Sequence, residues 1–167
     1  MSIQRGLARN CLEYTGVVRL SQYINNKKML IAESHNAGGS ALFNFLSNCL
    51  TGDFDLAKYS RPDKILLLKI DKVTGSIEKA SNTSFIQFLT RPERIYGKDS
   101  ECIIRYSFVL PQEYFAGTEF NAVGLYPQSA TELDIQDYSA ICTLTTDNWN
   151  ISRSSVLLLD WDLRISN

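Results

Sequence analysis

The residues best suited to acid–base chemistry are a lone histidine and two aspartates near the end of the chain. His35 is the one histidine, and a general base or metal ligand would most naturally be this residue. A triad also needs a nucleophile and an orienting acid within reach. Ser34 and Glu33 precede His35, but neighbours on a strand point to opposite faces, so we expect no convergence. His35 is predicted to be a loop residue that hydrogen-bonds the turn before a helix.

Asp160 and Asp162 lie on one face of the last predicted strand, where strand geometry separates them by ~7 Å. Paired carboxylates can act as acid and base or hold a cation. On the exposed face of a terminal strand they are more often solvating charges that protect an edge. We therefore interpret this pair as surface charges.

Metal, phosphate and cofactor motifs are weak or missing. The chain has no Cys-x-x-Cys pair and no second histidine for an HExxH pattern. Asp53-Phe54-Asp55 resembles the start of a calcium loop, but the remaining ligands do not follow. Gly38-Gly39-Ser40 suits a helix entry and lacks a P-loop lysine. We predict no catalytic residue, no metal site and no cofactor, and hence a protein that is not an enzyme.

Composition limits the partners and the compartment. The net charge is −1 and no basic run stands out, which argues against nucleic-acid binding. The N-terminus has no apolar signal segment, and the run Ile65-Leu66-Leu67-Leu68 is far too short to cross a membrane. We expect synthesis in the cytoplasm and no membrane partner. The cysteines are expected to be buried free thiols rather than a disulfide framework; they are Cys11, Cys49, Cys102 and Cys142.

Short apolar segments between turn signals predict a mainly β fold. Asn25-Asn26 predicts a hairpin turn, and the period-2 alternation from Cys102 to Phe108 is typical of a half-buried strand. Gly124 within its strand suggests a bulge or a close backbone approach. The predicted strands are 17–20, 28–32, 65–70, 102–108, 120–126, 140–144 and 157–165, with an apolar patch at 85–89.

One helix and the last strand have the clearest patterns. Leu42, Phe45, Leu46, Cys49 and Leu50 recur at helical spacing, and Gly52 is a suitable stop. In the last strand the apolar residues from Leu157 to Ile165 alternate with charged ones, which fixes its register. The sequence predicts one domain over residues 1–167, an antiparallel jelly-roll-like β-sandwich with one short α-helix. Residues 1–10 are expected to form a flexible N-terminal arm.

Three stretches resemble small virion proteins of tailed bacteriophages, of the tail, baseplate or fibre-attachment type. The first runs from His35 to Gly52 and the second from Ser60 to Ile65. The third joins residues 120–126 to the closing segment 157–167. The resemblance implies a β-sandwich module that packs into a ring, tube or fibre base. No single family is matched, and no site residues are carried over.

Two functions follow as expectations. The first is a structural virion subunit that binds copies of itself and other virion proteins, as part of a symmetric assembly. The alternative is a soluble carbohydrate- or ligand-binding β-sandwich with exposed aromatics near Asp and Asn side chains. Tyr114-Phe115, predicted to lie in a loop, are read as core anchors or as an interface hot spot.

Overall fold

The computed structural model describes residues 13–37, 40–81, 83–97, 101–110, 118–133, 135, 142–150 and 156–166. The predicted N-terminal arm, the glycines Gly38-Gly39 and the aromatic pair Tyr114-Phe115 lie outside these residues. In this part of the chain the prediction of a mainly antiparallel β fold is confirmed. Ten strands form two sheets, and every pairing between them is antiparallel.

The first sheet has five strands in the spatial order β2-β1-β10-β7-β6. The last strand of the chain is its central one, flanked by β1 and β7. The C-terminal strand is therefore held in the sheet by backbone pairing on both sides. The strands are β1 (Glu13–Ile24), β2 (Lys27–Ala37), β6 (Glu93–Tyr96), β7 (Cys102–Leu110) and β10 (Val156–Ser166).

The second sheet has a path of four strands, β4-β3-β8-β9. A short further strand, β5, pairs with β3 along the same edge as β4. The strands are β3 (Pro62–Ile70), β4 (Ile77–Lys79), β5 (Ile86–Gln87), β8 (Glu119–Pro127) and β9 (Cys142–Asn150).

Two short helices, not one, connect β2 to β3. The predicted helix is α1 (Ser40–Thr51), and it ends where predicted, at Gly52 with φ 75°. The second helix, α2 (Phe54–Ser60), begins at Asp53, whose Oδ1 accepts from the Leu56 N–H at 3.1 Å. A single turn separates the helices, and the Asn48 amide donates to the Ser60 hydroxyl at 3.2 Å.

The predicted hairpin turn is confirmed. Asn25 and Asn26 have φ values of 51° and 61°, the left-handed pair that a tight hairpin needs. The strands beyond it run further than predicted, and β2 includes His35. The predicted loop therefore starts too early. A bulge at Ile31 interrupts β2, since Leu30 pairs with Ser21 while Ala32 pairs with Leu20.

The main core lies between the inner faces of the two sheets. Its largest fully buried side chains include Trp161 and Phe108 from the first sheet and Phe120 and Leu125 from the second. Leu42 of α1 joins the same cluster. Burying this much apolar surface is the dominant favourable term in folding.

A smaller cluster covers the outer face of the second sheet. Tyr126 packs edge-on against Phe85, with ring centroids 5.4 Å apart. Its ring also lies over Gly124, where an added Cβ would come within 2.4 Å of it. The predicted close approach at Gly124 is confirmed. Lys64 closes the cluster by donating to the carbonyls of Gln128 and Ala130 at 3.0 and 2.8 Å.

Candidate functional site

His35 lies on the outer face of the first sheet with no convergent catalytic partner among the described residues. Its side chain is 67% exposed, and its Nε2 lies 3.3 Å from Glu33 Oε1. The expectation that Glu33 points away from His35 is wrong, because the two are two positions apart on β2 and share a face. The contact is exposed, and exposed contacts of this kind contribute little to stability in water.

The interpretation of Asp160 and Asp162 as edge-protecting surface charges is wrong. β10 is the central strand of the first sheet, and both side chains are almost fully buried on its outer face. The flanking strands supply their partners. Asp162 stands beside Arg105 of β7, and Asp160 stands between Arg19 of β1 and Ser107 of β7.

Asp162 is the centre of an ion network that covers this face. Arg105 donates to it twice, from Nε at 2.7 Å and from Nη2 at 2.9 Å. Arg19 donates to it at 2.7 Å and also pairs with Glu33 at 2.6 Å. Burial raises the pKa of the Asp162 carboxyl, but the bonds and charges of Arg105 and Arg19 outweigh burial and hold that pKa below its usual range.

Asp160 is held separately, by the Lys28 ammonium at 2.6 Å and by the Ser107 hydroxyl at 2.6 Å. The two carboxylates thus have different hydrogen-bond partners. With their oxygens engaged by cations and a hydroxyl, they hold strands together. The network links β2, β1, β10 and β7 through side chains across the outer face of the sheet.

The other residues that the sequence analysis considered for chemistry are Asp53, the possible metal ligands and the cysteines. Asp53 caps α2 and does not begin a calcium loop. No group of three His, Cys, Asp or Glu side chains within the described ranges is arranged to hold a metal. Cys102 is half-buried, whereas Cys49 is exposed, so the expectation of burial is wrong for Cys49. The side chains of Cys11 and Cys142 lie outside the described part.

A cavity of about 340 Å³ opens where β3 and β8 separate. The Asn121 side chain bridges the gap, accepting from the Ile70 N–H at 2.7 Å and donating to the Ile70 carbonyl at 2.8 Å. Lys69 and Glu119 face each other across it at 3.8 Å. The lining is mostly polar: Lys69, Ile70, Asp71, Ser76, Glu78, Glu119, Phe120 and Asn121.

The two helices, which connect the first sheet to the second, carry several large apolar side chains that are exposed to solvent. Leu50 is 87% exposed and Phe54 is 78% exposed, on either side of the turn that joins α1 to α2. Three further apolar side chains on the two helices are each about half exposed. We name these side chains the helical surface: Phe43, Leu50, Phe54, Leu56 and Tyr59.

One feature of the sequence indicates this exposed surface, namely the absence of charged residues from α1. The helical spacing of its apolar residues does not show it. Helix α1 contains no charged residue, whereas the solvent face of a surface helix commonly carries charged side chains. Leu42 fills the core as predicted, but Leu50, predicted for the same buried face, is exposed. One side of α1 therefore meets the core, and its solvent-exposed side carries Phe43 and Leu50 but no charged residue.

Three comparisons with known proteins add no relative. No family model, no curated protein and no solved structure matches the chain. Neither described helix has the length and apolar character needed to cross a membrane.

Proposed function

We propose that this chain is a structural subunit of a tailed-phage virion and acts by protein–protein assembly. The proposed place of the chain is the tail, baseplate, neck or head decoration of the particle. In this proposal the chain is made in the host cytoplasm and then joins the particle. The observation that carries the assembly role is the helical surface, where large apolar side chains face solvent. The virion setting rests on the sequence resemblance.

The composition of the helical surface fits a protein partner. The cores of protein interfaces are depleted in charge and enriched in aromatic residues, with polar residues at the rim. The surface combines an uncharged α1 with Phe43, Phe54 and Tyr59. On the described helices, charges occur only along α2 and at its ends, where Asp53, Asp55, Lys58 and Arg61 are found.

The helical surface is also held firmly by the sandwich behind it. The N–H of Ser129 donates to the Tyr59 carbonyl at 3.0 Å, and the N–H of Gln128 donates to the Arg61 carbonyl at 3.1 Å. These bonds tie α2 to the segment after β8. A surface held in place before binding loses less conformational entropy on association.

The test is incorporation into particles. A double variant, Leu50→Lys with Phe54→Lys, places charge in the middle of the helical surface. Leu133→Lys is the matched control, because Leu133 is 98% exposed and lies elsewhere. Both proteins are expected to fold, and tagged copies are then supplied during infection by the source phage.

The expected result is that the wild type and the control are found by mass spectrometry in purified particles, while the double variant is missing. Absence of the wild-type chain from purified particles overturns the virion role. Equal incorporation of all three proteins removes the helical surface from the mechanism.

The polar cavity favours one alternative, a soluble ligand-binding module. Its volume lies in the range of small-molecule sites, and Asp71 and Asn121 line it, as the carbohydrate hypothesis expects. Its aromatic residue, Phe120, is only 1% exposed and offers no stacking platform. Glycan-array binding that is abolished by Glu119→Gln would support this alternative, and silence across sugar classes would count against it.

A further inference from the structure

We infer that the helical surface pairs with the same surface of a second copy of this chain about a two-fold axis. This inference rests on the proposed assembly function and names the partner. The argument comes from the order of charges along α2 and from the side chains between them.

The charges of α2 are arranged by sign along the helix. Asp53 and Asp55 stand at its N-terminal end, and Lys58 and Arg61 stand at its C-terminal end. All four are exposed. At 100° per residue, Asp55 and Tyr59 project from the side opposite the buried Ala57, and Lys58 projects beside them.

If two copies pair their α2 helices in antiparallel directions, the acidic end of each helix lies against the basic end of the other. Each contact between opposite charges then forms twice. Asp55 and Lys58 stand on either side of the middle of the helix, so a two-fold axis there sets Asp55 of one copy against Lys58 of the other. The same operation brings Phe54 of one copy to the level of Tyr59 of the other, so the two aromatic side chains flank the charged pairs. Every contact in such an interface occurs twice, and the antiparallel direction also opposes the helix dipoles favourably.

A parallel pairing would set like charges against each other. Exposed like-charge contacts oppose association and reject wrong arrangements. The neutral α1, with Phe43 and Leu50 exposed, then extends the apolar contact without adding a charge that the second copy would have to match. The charge order thus selects a self-complementary, two-fold contact.

The test uses charge reversals that break and then restore the pair. Asp55→Lys gives a chain with two basic positions at the contact, and Lys58→Asp gives a chain with two acidic ones. Each variant alone is expected to lose self-association by roughly 30-fold or more, because two attractive pairs become two repulsive ones. An equimolar mixture of the two variants is expected to form a heterodimer, since each pair is then opposite in sign.

Masses are measured by light scattering on the full chain, with thermal melting to confirm that each variant is folded. Glu78→Lys is the control for charge reversal, because β4 pairs with the end of β3 far from α2. It is expected to dimerise as the wild type does. The double variant Asp55→Lys with Lys58→Asp is expected to self-associate again, since it restores both pairs in reversed order.

A wild-type chain that stays monomeric overturns the inference. So do single variants that dimerise normally, or single variants that are folded and monomeric but fail to combine. Particle incorporation separates this failure from failure of the proposed function. A monomeric chain found in particles refutes only the two-fold contact, whereas a dimer missing from particles refutes only the virion role.

Discussion

Removing the charge of Asp162 tests whether the ion network holds the first sheet together. Asp162→Asn keeps the shape of the side chain but sets an amide against Arg19 and Arg105, which together make three charge-assisted bonds to it. Breaking a buried ion pair costs about 3–5 kcal/mol. The side chains of Arg19 and Arg105 are 26% and 33% exposed, so water can solvate them in part after the ion pairs are broken. We therefore expect the free energy of unfolding to fall by about 2–3 kcal/mol.

The assay is urea unfolding monitored by tryptophan fluorescence. An unchanged slope of the unfolding free energy against urea concentration shows that the variant exposes the same surface on unfolding as the wild type. Glu33→Gln is the matched control, since it makes the same carboxylate-to-amide change in the same network at an exposed position. Its loss is expected to be much smaller because water screens exposed pairs. Equal losses for the two variants would refute the reasoning that burial makes Asp162 the critical member.

Four further outcomes are expected from unfolding measurements. Because the folded pKa of Asp162 is depressed, its contribution is complete above the unfolded value of about 4 and is lost as pH falls through the folded value. The wild type and Asp162→Asn should therefore converge in stability in acid. Gly124→Ala should destabilise by about 1–3 kcal/mol, since the new Cβ lies 2.4 Å from the buried Tyr126 ring; no loss would mean that the ring moves freely. Asn26→Gly should stabilise by about 0.5 kcal/mol, because Asn26 has φ 61°; a loss would show that the Asn side chain is needed. Lys64→Met should cost about 2 kcal/mol by leaving two loop carbonyls without their donor; an unchanged midpoint would mean that water replaces the ammonium.

Local pattern predicted much of the fold. The Asn25-Asn26 turn, the stop at Gly52 and the alternation in the last strand all correspond to observed features. These are short-range signals, because turn geometry and side-chain alternation depend on neighbouring residues. The same locality explains the correct prediction of a close approach at Gly124.

Helix α2 was missed because seven residues give too few turns for a helical period to stand out. It is stabilised by a capping aspartate, Asp53, and by backbone bonds to the segment after β8, which no local pattern shows. The extension of β2 to include His35 was missed for a related reason. Pairing with β1 continues there regardless of the loop-like composition around His35.

The candidate sites depended most on contacts between distant parts of the chain. The sequence placed Asp160 and Asp162 on one face of a strand but could not show which strands lie beside them. The charge of Asp162 is compensated by Arg19 and Arg105, which are 143 and 57 residues away from it in sequence. Asp160 depends in the same way on Lys28 and Ser107. The helical surface likewise required knowing which side of α1 the core covers.

The sequence by itself determined the β-rich class, the hairpin, the first helix and the apolar face of the last strand, because backbone preference and side-chain period are encoded locally. The tertiary structure alone decided that β10 is central, that Asp160 and Asp162 are buried among cationic and hydroxyl partners, and that Leu50 and Phe54 face solvent. Burial and ion pairing are set by which elements pack together, and that packing is a property of the whole chain.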